Sequence, residues 1–343
     1  MKVPSKVRLI FYLLGFAGAA LFTTLLIREG AAQIGSALAT AGWALVAVIA
    51  YHFLVPVFLD TVAWWVVFPR AERPSLRTLY WMRWIGESVS TLVPSAAVGG
   101  DIVRARLAAI HGTRVATSAA TVLVDLTLGV FTQAAFALLG VVLLVSATGQ
   151  RNFIGPTIIG IVVGVAAVGG FYFVQRLGMF RFLARMIAKL ANSPEWQSLI
   201  HSGAELDETV RSLYGRRRAV MACCGWTILS LILNSGEIWI AMWALNLHPT
   251  FVNAVILQSM VLTIRSAAFA VPAGLGVQEG GYVVVACLLG IASDPSKCGE
   301  MGFALSVIAR VRELGFGIPG LIVWQLIEGR RLLRTRAEET ALS

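Results

Sequence analysis

Apolar positions run in long stretches along this chain, separated by short basic gaps, and the lengths of those stretches predict its elements. A helix needs about 20 apolar residues to cross the hydrocarbon of a bilayer. Residues 9–27 meet that length behind Lys2, Lys6 and Arg8. The small residues Ala17-Gly18-Ala19 are compatible with a cleaved signal, but the apolar run continues for eight residues beyond them, so a retained first span is predicted. Further spans are expected at about 38–68, with a kink at Pro56, and at 115–145, 153–174, 219–245 and 301–327.

Two stretches do not read as simple spans. Residues 84–111 are interrupted by Pro94 and Gly99-Gly100, and residues 251–291 by Pro272, Gly274 and Gly276. Proline beside glycine ends one helix and begins another. Each arm of the first stretch has about 12 residues, or about 18 Å, too short to cross. Both stretches are therefore predicted as re-entrant helical hairpins. The expected fold is an all-α integral membrane protein with six full spans and two hairpins.

The basic residues orient this arrangement. With a cytoplasmic N-terminus, 20 of the 28 Lys and Arg fall on the cytoplasmic side, including the eight from Arg176 to Arg218 and the four from Arg330 to Arg336. Only Arg28, Arg151 and Lys297 fall outside, and the remainder lie within apolar stretches. Such asymmetry is the positive-inside pattern, and it places both termini in the cytoplasm. It preserves parity whether each hairpin returns or crosses twice. The two hairpins then enter from opposite faces. An offset of 178 aligns Pro94 with Pro272, Asp101 with Glu279, Gly112 with Gly290 and Glu87 with Arg265. An inverted repeat is expected, with halves at about 38–145 and 219–327 of one polytopic domain, as in many transporters.

Composition agrees with the membrane reading. The chain is 57% hydrophobic and 13% charged, with a mean hydropathy of +0.78. Ordinary soluble domains carry about 25% charge, so a soluble globule, a disordered chain and a secreted disulfide scaffold are all excluded as expectations. The net charge of +10 lies in the gaps rather than in a nucleic-acid motif, and no nucleic-acid partner is expected. Cys223, Cys224, Cys287 and Cys298 show no paired spacing that suggests a zinc site or a disulfide framework, and Cys223 and Cys224, inside an apolar run, read as small packing residues. The histidines at 52, 111, 201 and 248 stand alone and read as interfacial or packing residues.

Residues 176–218 form the one sizeable polar insert. Leu183, Met186, Ile187 and Leu190 share one helical face and Arg181, Arg185 and Lys189 another, which suits an anionic leaflet surface. Ser193-Pro194 reads as the start of a second helix. A solvated hairpin touching only lipid and a regulatory or partner-binding role both remain open. A basic cytoplasmic tail is expected over 328–343.

Charges inside the apolar stretches carry the functional signal: Asp60, Glu87, Asp101, Arg104, Asp125, Glu237, Arg265, Glu279, Arg310, Arg312 and Glu313. One ionised group at mid-bilayer costs about 2.5–3.5 kcal/mol, so these groups must pair, take up protons or line water. Asp60 is near enough to the cytoplasmic interface for solvation alone, whereas Asp125 lies ten residues into its helix. Simple pairing is one reading: Asp101 with Arg104 three residues on, and Glu279 as a helix cap. The other is a transport site in which broken helices aim amides at the midplane, Arg104 and Arg265 fork an anionic group, and the acids carry protons. On that reading Asp101 and Glu279 share a central cavity. Glu87 then meets Arg265, with Glu237 and Glu313 as alternative partners of the arginine. No D-x-D, H-E-x-x-H or G-x-S-x-G motif suggests an enzyme, and no metal or cofactor is expected.

Pro94 followed by Gly99-Gly100-Asp101 and Arg104, then the run from Pro272 through Gly274 and Gly276 to Glu279, and Arg310-Val311-Arg312-Glu313, resemble the lysylphosphatidylglycerol synthase transmembrane-domain (flippase-like) family. Val124-Asp125-Leu126-Thr127 and the run from Arg312 to Pro319-Gly320 look most like its hopanoid-biosynthesis-associated members. The resemblance covers nearly the whole chain. It implies a bacterial inner-membrane protein that moves or presents a lipid between leaflets, with membrane lipids and lipid-biosynthesis proteins as partners. The soluble aminoacyl-transfer domain of the full-length synthases is not expected, because the chain ends soon after 327. Many members carry an arginine after the acid of the middle helix; here Leu126 follows Asp125, so no role of that arginine carries over. A non-catalytic scaffold and a lipid-modifying enzyme are the rival functions.

Overall fold

Helices occupy the apolar runs between the glycine and proline breaks, and all regular structure among the described residues is helical. The computed structural model describes residues 42–92, 99–149, 196–247, 249–268, 274–292 and 294–342, with isolated positions between 155 and 177 and at 271. In chain order the helices are α1 (Ala44–Leu54), α2 (Pro56–Val67), α3 (Leu76–Leu92), α4 (Gly99–Ile110) and α5 (Val115–Thr148). They continue as α6 (Trp196–Gly215), α7 (Arg217–Ala244), α8 (Phe251–Ala267), α9 (Val277–Leu289) and α10 (Cys298–Leu342). Pro56 takes the first position of α2, where its missing N–H costs least, and separates α1 from α2 as the sequence predicts.

Among the described residues, three helical segments are long and apolar enough to cross a bilayer: α1 with α2, α5 and α7. They correspond to the spans expected at 38–68, 115–145 and 219–245. The span expected at 9–27 lies outside the described residues, and that at 153–174 lies largely outside them. The last falls within α10, which continues through Pro319 and into the tail.

The ends of the bundle are chemically distinct. Where α2 finishes, Arg73 donates to the Phe68 carbonyl at 3.0 Å and Arg216 to the Val67 carbonyl at 2.7 Å. Arg114, just before α5, pairs with Glu72 in the same turn. At the other end, Ile291 after α9 packs in one apolar cluster with Leu245 after α7 and Leu144 near the end of α5. Arms α3 and α4 both connect to the basic end, whereas α8 and α9 both connect to the apolar end. Their lengths are 17 and 12 residues, then 17 and 13, or about 26, 18, 26 and 20 Å at 1.5 Å per residue. Pro94 and Pro272 lie outside the described residues. Beyond the second break Gly274 and Gly276 both have positive φ, 59° and 76°, which a residue bearing Cβ rarely adopts.

Arms α3 and α4 touch through glycine. A side chain at Gly100 would collide with the Gly86 carbonyl and the Ser90 hydroxyl, and one at Gly86 with the Arg104 stem. That close approach lets Arg104 reach past α3. On the other side of α3, the Trp84 indole donates to the Phe316 carbonyl of α10 at 3.1 Å.

The cysteine reading needs correcting. Cys287 and Cys298 form a disulfide, with Cα atoms 4.9 Å apart, that ties the last turn of α9 to the start of α10. They are 11 positions apart in sequence, and it is the chain reversal between the helices that makes them meet. Cys223 is a buried packing residue, as expected. The purely lipid-touching insert is also corrected. Val210, Leu213 and Tyr214 of α6 pack on Ala120, Val124 and Leu128 of α5, and the Tyr214 hydroxyl donates to Gln175 at 2.8 Å. Segment 183–190 and Ser193-Pro194 lie outside the described residues.

Candidate functional site

A cavity of about 320 Å³ opens between α2, α3, α4, α5 and α7. Its polar wall is built by Asp60, Arg83, Glu87, Ser90, Asp101, Arg104 and Asp125, and its apolar wall includes Leu126, Val130 and Leu231. Leu126 and Val130 are 39% and 45% exposed, so this wall continues onto the outer surface of the bundle. Charged groups here are organised by Asp125. Its Oδ2 accepts from Arg83 and from Arg104, each at 2.9 Å. Arg83 also reaches Asp60 at 3.0 Å, and Arg104 reaches Asp101 at 2.6 Å. The Arg104 guanidinium lies over the buried Trp64 ring, 5.0 Å from its centroid, which fixes its plane.

A second cluster lies behind the cavity, among α1, α3, α7, α8, α9 and α10. Glu313 accepts from Arg265 at 2.7 Å through Oε1 and from Arg310 at 2.9 Å through Oε2. Arg310 also donates to Glu279 at 2.7 Å, and Glu279 is fully buried. Arg312 pairs with Glu237 at 3.3 Å. Between the clusters stands His52, whose Nδ1 is 2.6 Å from Glu237 and whose Nε2 is 2.9 Å from Glu87. Phe316 packs against its ring at right angles, with centroids 4.6 Å apart. Glu87 thus faces the cavity and is hydrogen-bonded to the second cluster.

The placement changes several sequence expectations. Asp101 and Arg104 pair locally as one reading held. Asp101 and Glu279 do not share a cavity: the first lines it, while the second is sealed on Arg310. Nor does Glu279 act as the cap of α9, whose N-cap is Gly276 without a side-chain bond. Glu87 meets His52 instead of Arg265, and Arg265 takes Glu313, the alternative named for it. Arg104 and Arg265 belong to different clusters, each engaged by its own carboxylates, so they form no fork for an anion. Asp60 is held by Arg83 rather than by solvent alone.

Two participants were missed. His52 is buried between two carboxylates and is no packing residue. Its only local signal was a histidine midway along an apolar run. Arg83, absent from the charges singled out in the sequence, bridges Asp60 and Asp125; its spacing of four from Glu87 on α3 was the available signal. Among the described residues no group of three or more His, Cys, Asp and Glu is arranged to hold a metal ion.

No curated protein and no solved structure matches the chain. The family model described as the lysylphosphatidylglycerol synthase TM region matches residues 10–299, which takes in the cavity, His52 and both hairpins but stops before Arg310, Arg312 and Glu313. With apolar membrane-length helices and that match over most of its length, the chain is an integral membrane protein belonging to the lysylphosphatidylglycerol synthase TM region family.

Proposed function

We propose that this protein moves a lipid between the two leaflets of a bilayer. The cavity carries the reading. It sets ionised side chains within a membrane-spanning bundle, and its apolar wall runs out to the lipid-facing surface. A lipid needs both features on its way across, a polar niche for the head group and an apolar path for the tails. The four carboxylates Asp60, Glu87, Asp101 and Asp125 outnumber the two guanidiniums of Arg83 and Arg104, and both guanidiniums are already engaged. A neutral polar head group, such as a hydroxyl-bearing hopanoid, fits this niche better than a bare phosphate.

The same reading covers the architecture and its setting. The paired 17-and-12 and 17-and-13 hairpin arms, entering from opposite ends, support re-entrant halves of an inverted repeat. Basic residues at one end and a disulfide at the other support an orientation with the basic end in a reducing cytoplasm. That is the arrangement expected in a bacterial inner membrane, with lipid-biosynthesis proteins as neighbours. The role is transport rather than catalysis.

Reconstitution tests it. Vesicles holding the purified protein should expose tail-labelled lipid from the inner leaflet to an impermeant quencher faster than empty vesicles do, with the lipid chemically unchanged by mass spectrometry. Rates equal to empty vesicles for every lipid tried overturn the proposal; a modified lipid returns the enzyme reading.

A further inference from the structure

The contacts of His52 supply a coupling device that the transport reading does not require. Both ring nitrogens face carboxylate oxygens, Nε2 on Glu87 of α3 and Nδ1 on Glu237 of α7. Two such hydrogen bonds need two protons, and a neutral imidazole carries one. Either the ring is an imidazolium or one carboxylate is protonated. The remaining charged group facing the ring is Arg312 of α10, whose Nη1 is 3.2 Å from Nδ1 and whose Nε pairs with Glu237. With Arg312 counted, two protons on the three groups make the set electrically neutral; removal of one leaves a net negative charge inside the bundle. Beyond this shell stand Arg83 and Asp60 on the Glu87 side, with Glu313 and Tyr282 on the Arg312 side.

From this geometry we propose that Glu87, His52 and Glu237 form a proton-binding site whose loading and emptying drive the lipid movement, an inference that rests on the transport reading above. Loss of the proton leaves His52 one N–H, so one of its two contacts must open. The side chain of Glu87 is 27% exposed and lines the cavity, while that of Glu237 is 8% exposed. Water can receive the Glu87 carboxylate at little cost, whereas Glu237 would lose its 2.6 Å bond on Oε1 in a buried setting and keep only Arg312, 3.3 Å from Oε2. The contact that opens is therefore the one to Glu87. Its opening removes one tie between α1 and α3, a wall of the cavity, and leaves the Tyr80 hydrogen bond to the Phe53 carbonyl as a remaining polar link between the two helices. Uptake of a proton from cavity water through Glu87 closes it again. The proton is only bound and released, so no other reactant is needed.

The test uses the full chain in phosphatidylethanolamine–phosphatidylglycerol vesicles. Tail-labelled phosphatidylglycerol, phosphatidylethanolamine and a hydroxylated hopanoid are followed with and without a gradient of one pH unit. Nitrogen NMR of histidine-labelled protein reads the ring, with the His52 signal assigned from His52→Gln. At one proton per lipid, the gradient should enrich a probe in one leaflet by up to about tenfold, and a protonophore should abolish the enrichment. At neutral pH His52 should carry both N–H groups. Glu87→Gln keeps a donor for a neutral ring and removes the charge; it should fold normally and ignore the gradient. It serves as the decisive variant if His52→Gln fails to fold. Movement that is indifferent to the gradient in the unmodified protein overturns the coupling and leaves lipid transport standing. No movement of any probe overturns the transport reading and the coupling with it. A ring lacking one N–H across the whole range of histidine titration, with both acids ionised, overturns the proton site itself.

Discussion

Asp125 and Glu313 are each a carboxylate clamped by arginines from two helices, set in two different surroundings. Asp125 faces a cavity, its clamps come from α3 and α4, and every partner carries a fixed charge at neutral pH. Glu313 is turned away from that cavity, holds Arg265 of α8 and Arg310 of its own helix, and adjoins a network ending in His52. The difference teaches where stability and change are separated. Fixed pairs at the cavity keep its shape and polarity, while an imidazole, His52, sits between the regions and touches both. The braces differ as well. A disulfide ties α9 to α10 beside the second hairpin, whereas the turn before the first hairpin is tied to the start of α5 by the exposed Glu72–Arg114 pair.

The largest expected effect comes from Glu313→Ala. It leaves Arg265, Arg310 and Arg312 close together with one carboxylate fewer, and breaking a buried ion pair from one side costs about 3–5 kcal/mol. The variant should lose most of its folded, monodisperse fraction in detergent chromatography, while Asp101→Asn, whose Arg104 keeps Asp125 and whose cavity admits water, should retain most of it. Equal losses would erase the contrast between the two clusters.

Removing the covalent brace comes next. Cys287→Ser with Cys298→Ser opens a loop spanning a separation of 11 residues, which the chain-entropy model values at about 3 kcal/mol. A lower Tm is expected in the double variant, matched by the unmodified protein under reductant. An unchanged Tm would mean that packing alone holds α9 on α10.

Both regions bring helices together through glycine, which sharpens the comparison further. Gly100 meets the Gly86 backbone, and Gly302 of α10 meets the Tyr282 and Val283 backbone of α9. In neither case can a backbone neighbour move aside as a side chain would. Gly100→Ala and Gly302→Ala should each cost about 1–3 kcal/mol by overpacking, read as a fall in Tm. Only Gly100→Ala should also weaken lipid movement, because it separates the two arms that hold Arg83 and Arg104.

What was legible in the sequence follows from the range of each interaction. Helix length and breakers act locally, so the spans α5 and α7 and the hairpin arms α8 and α9 were readable from runs and from Gly274 and Gly276. The demand that buried charge find a partner was also readable, because cost at mid-bilayer depends on residue type and depth. Partner identity was not. Asp101 with Arg104 was within reach as a pair three apart, but His52 finds Glu237 across 185 positions and Arg265 finds Glu313 across 48. A shared proline offset relates two segments to each other and does not bring their charges together, which is why Asp101 and Glu279 fell to different clusters. Cys287 and Cys298 became partners through the reversal between α9 and α10, which their spacing does not encode.

The smallest effect belongs to the non-covalent brace. Glu72 lies in the turn before α3, outside the spanning segments, and the Arg114 hydrogen bond holds its carboxyl below the usual range. A carboxyl depressed in the folded state contributes stability above its unfolded value of about 4.3 and loses that contribution as pH falls through the folded value. Stability should therefore decline on acidification through this window in the unmodified protein, with the Glu72 share of the decline absent in Glu72→Gln. Because Arg114 is exposed and the pair is open to solvent, added salt should reduce the difference between the two proteins. The readout is Tm against pH at low and high salt, and identical curves for both proteins would show that the turn is held by the Arg73 and Arg216 bonds to the end of α2 instead. In that case the cavity region would owe its frame to the same basic end that orients the bundle, and the Glu72–Arg114 pair would not be the counterpart of the disulfide.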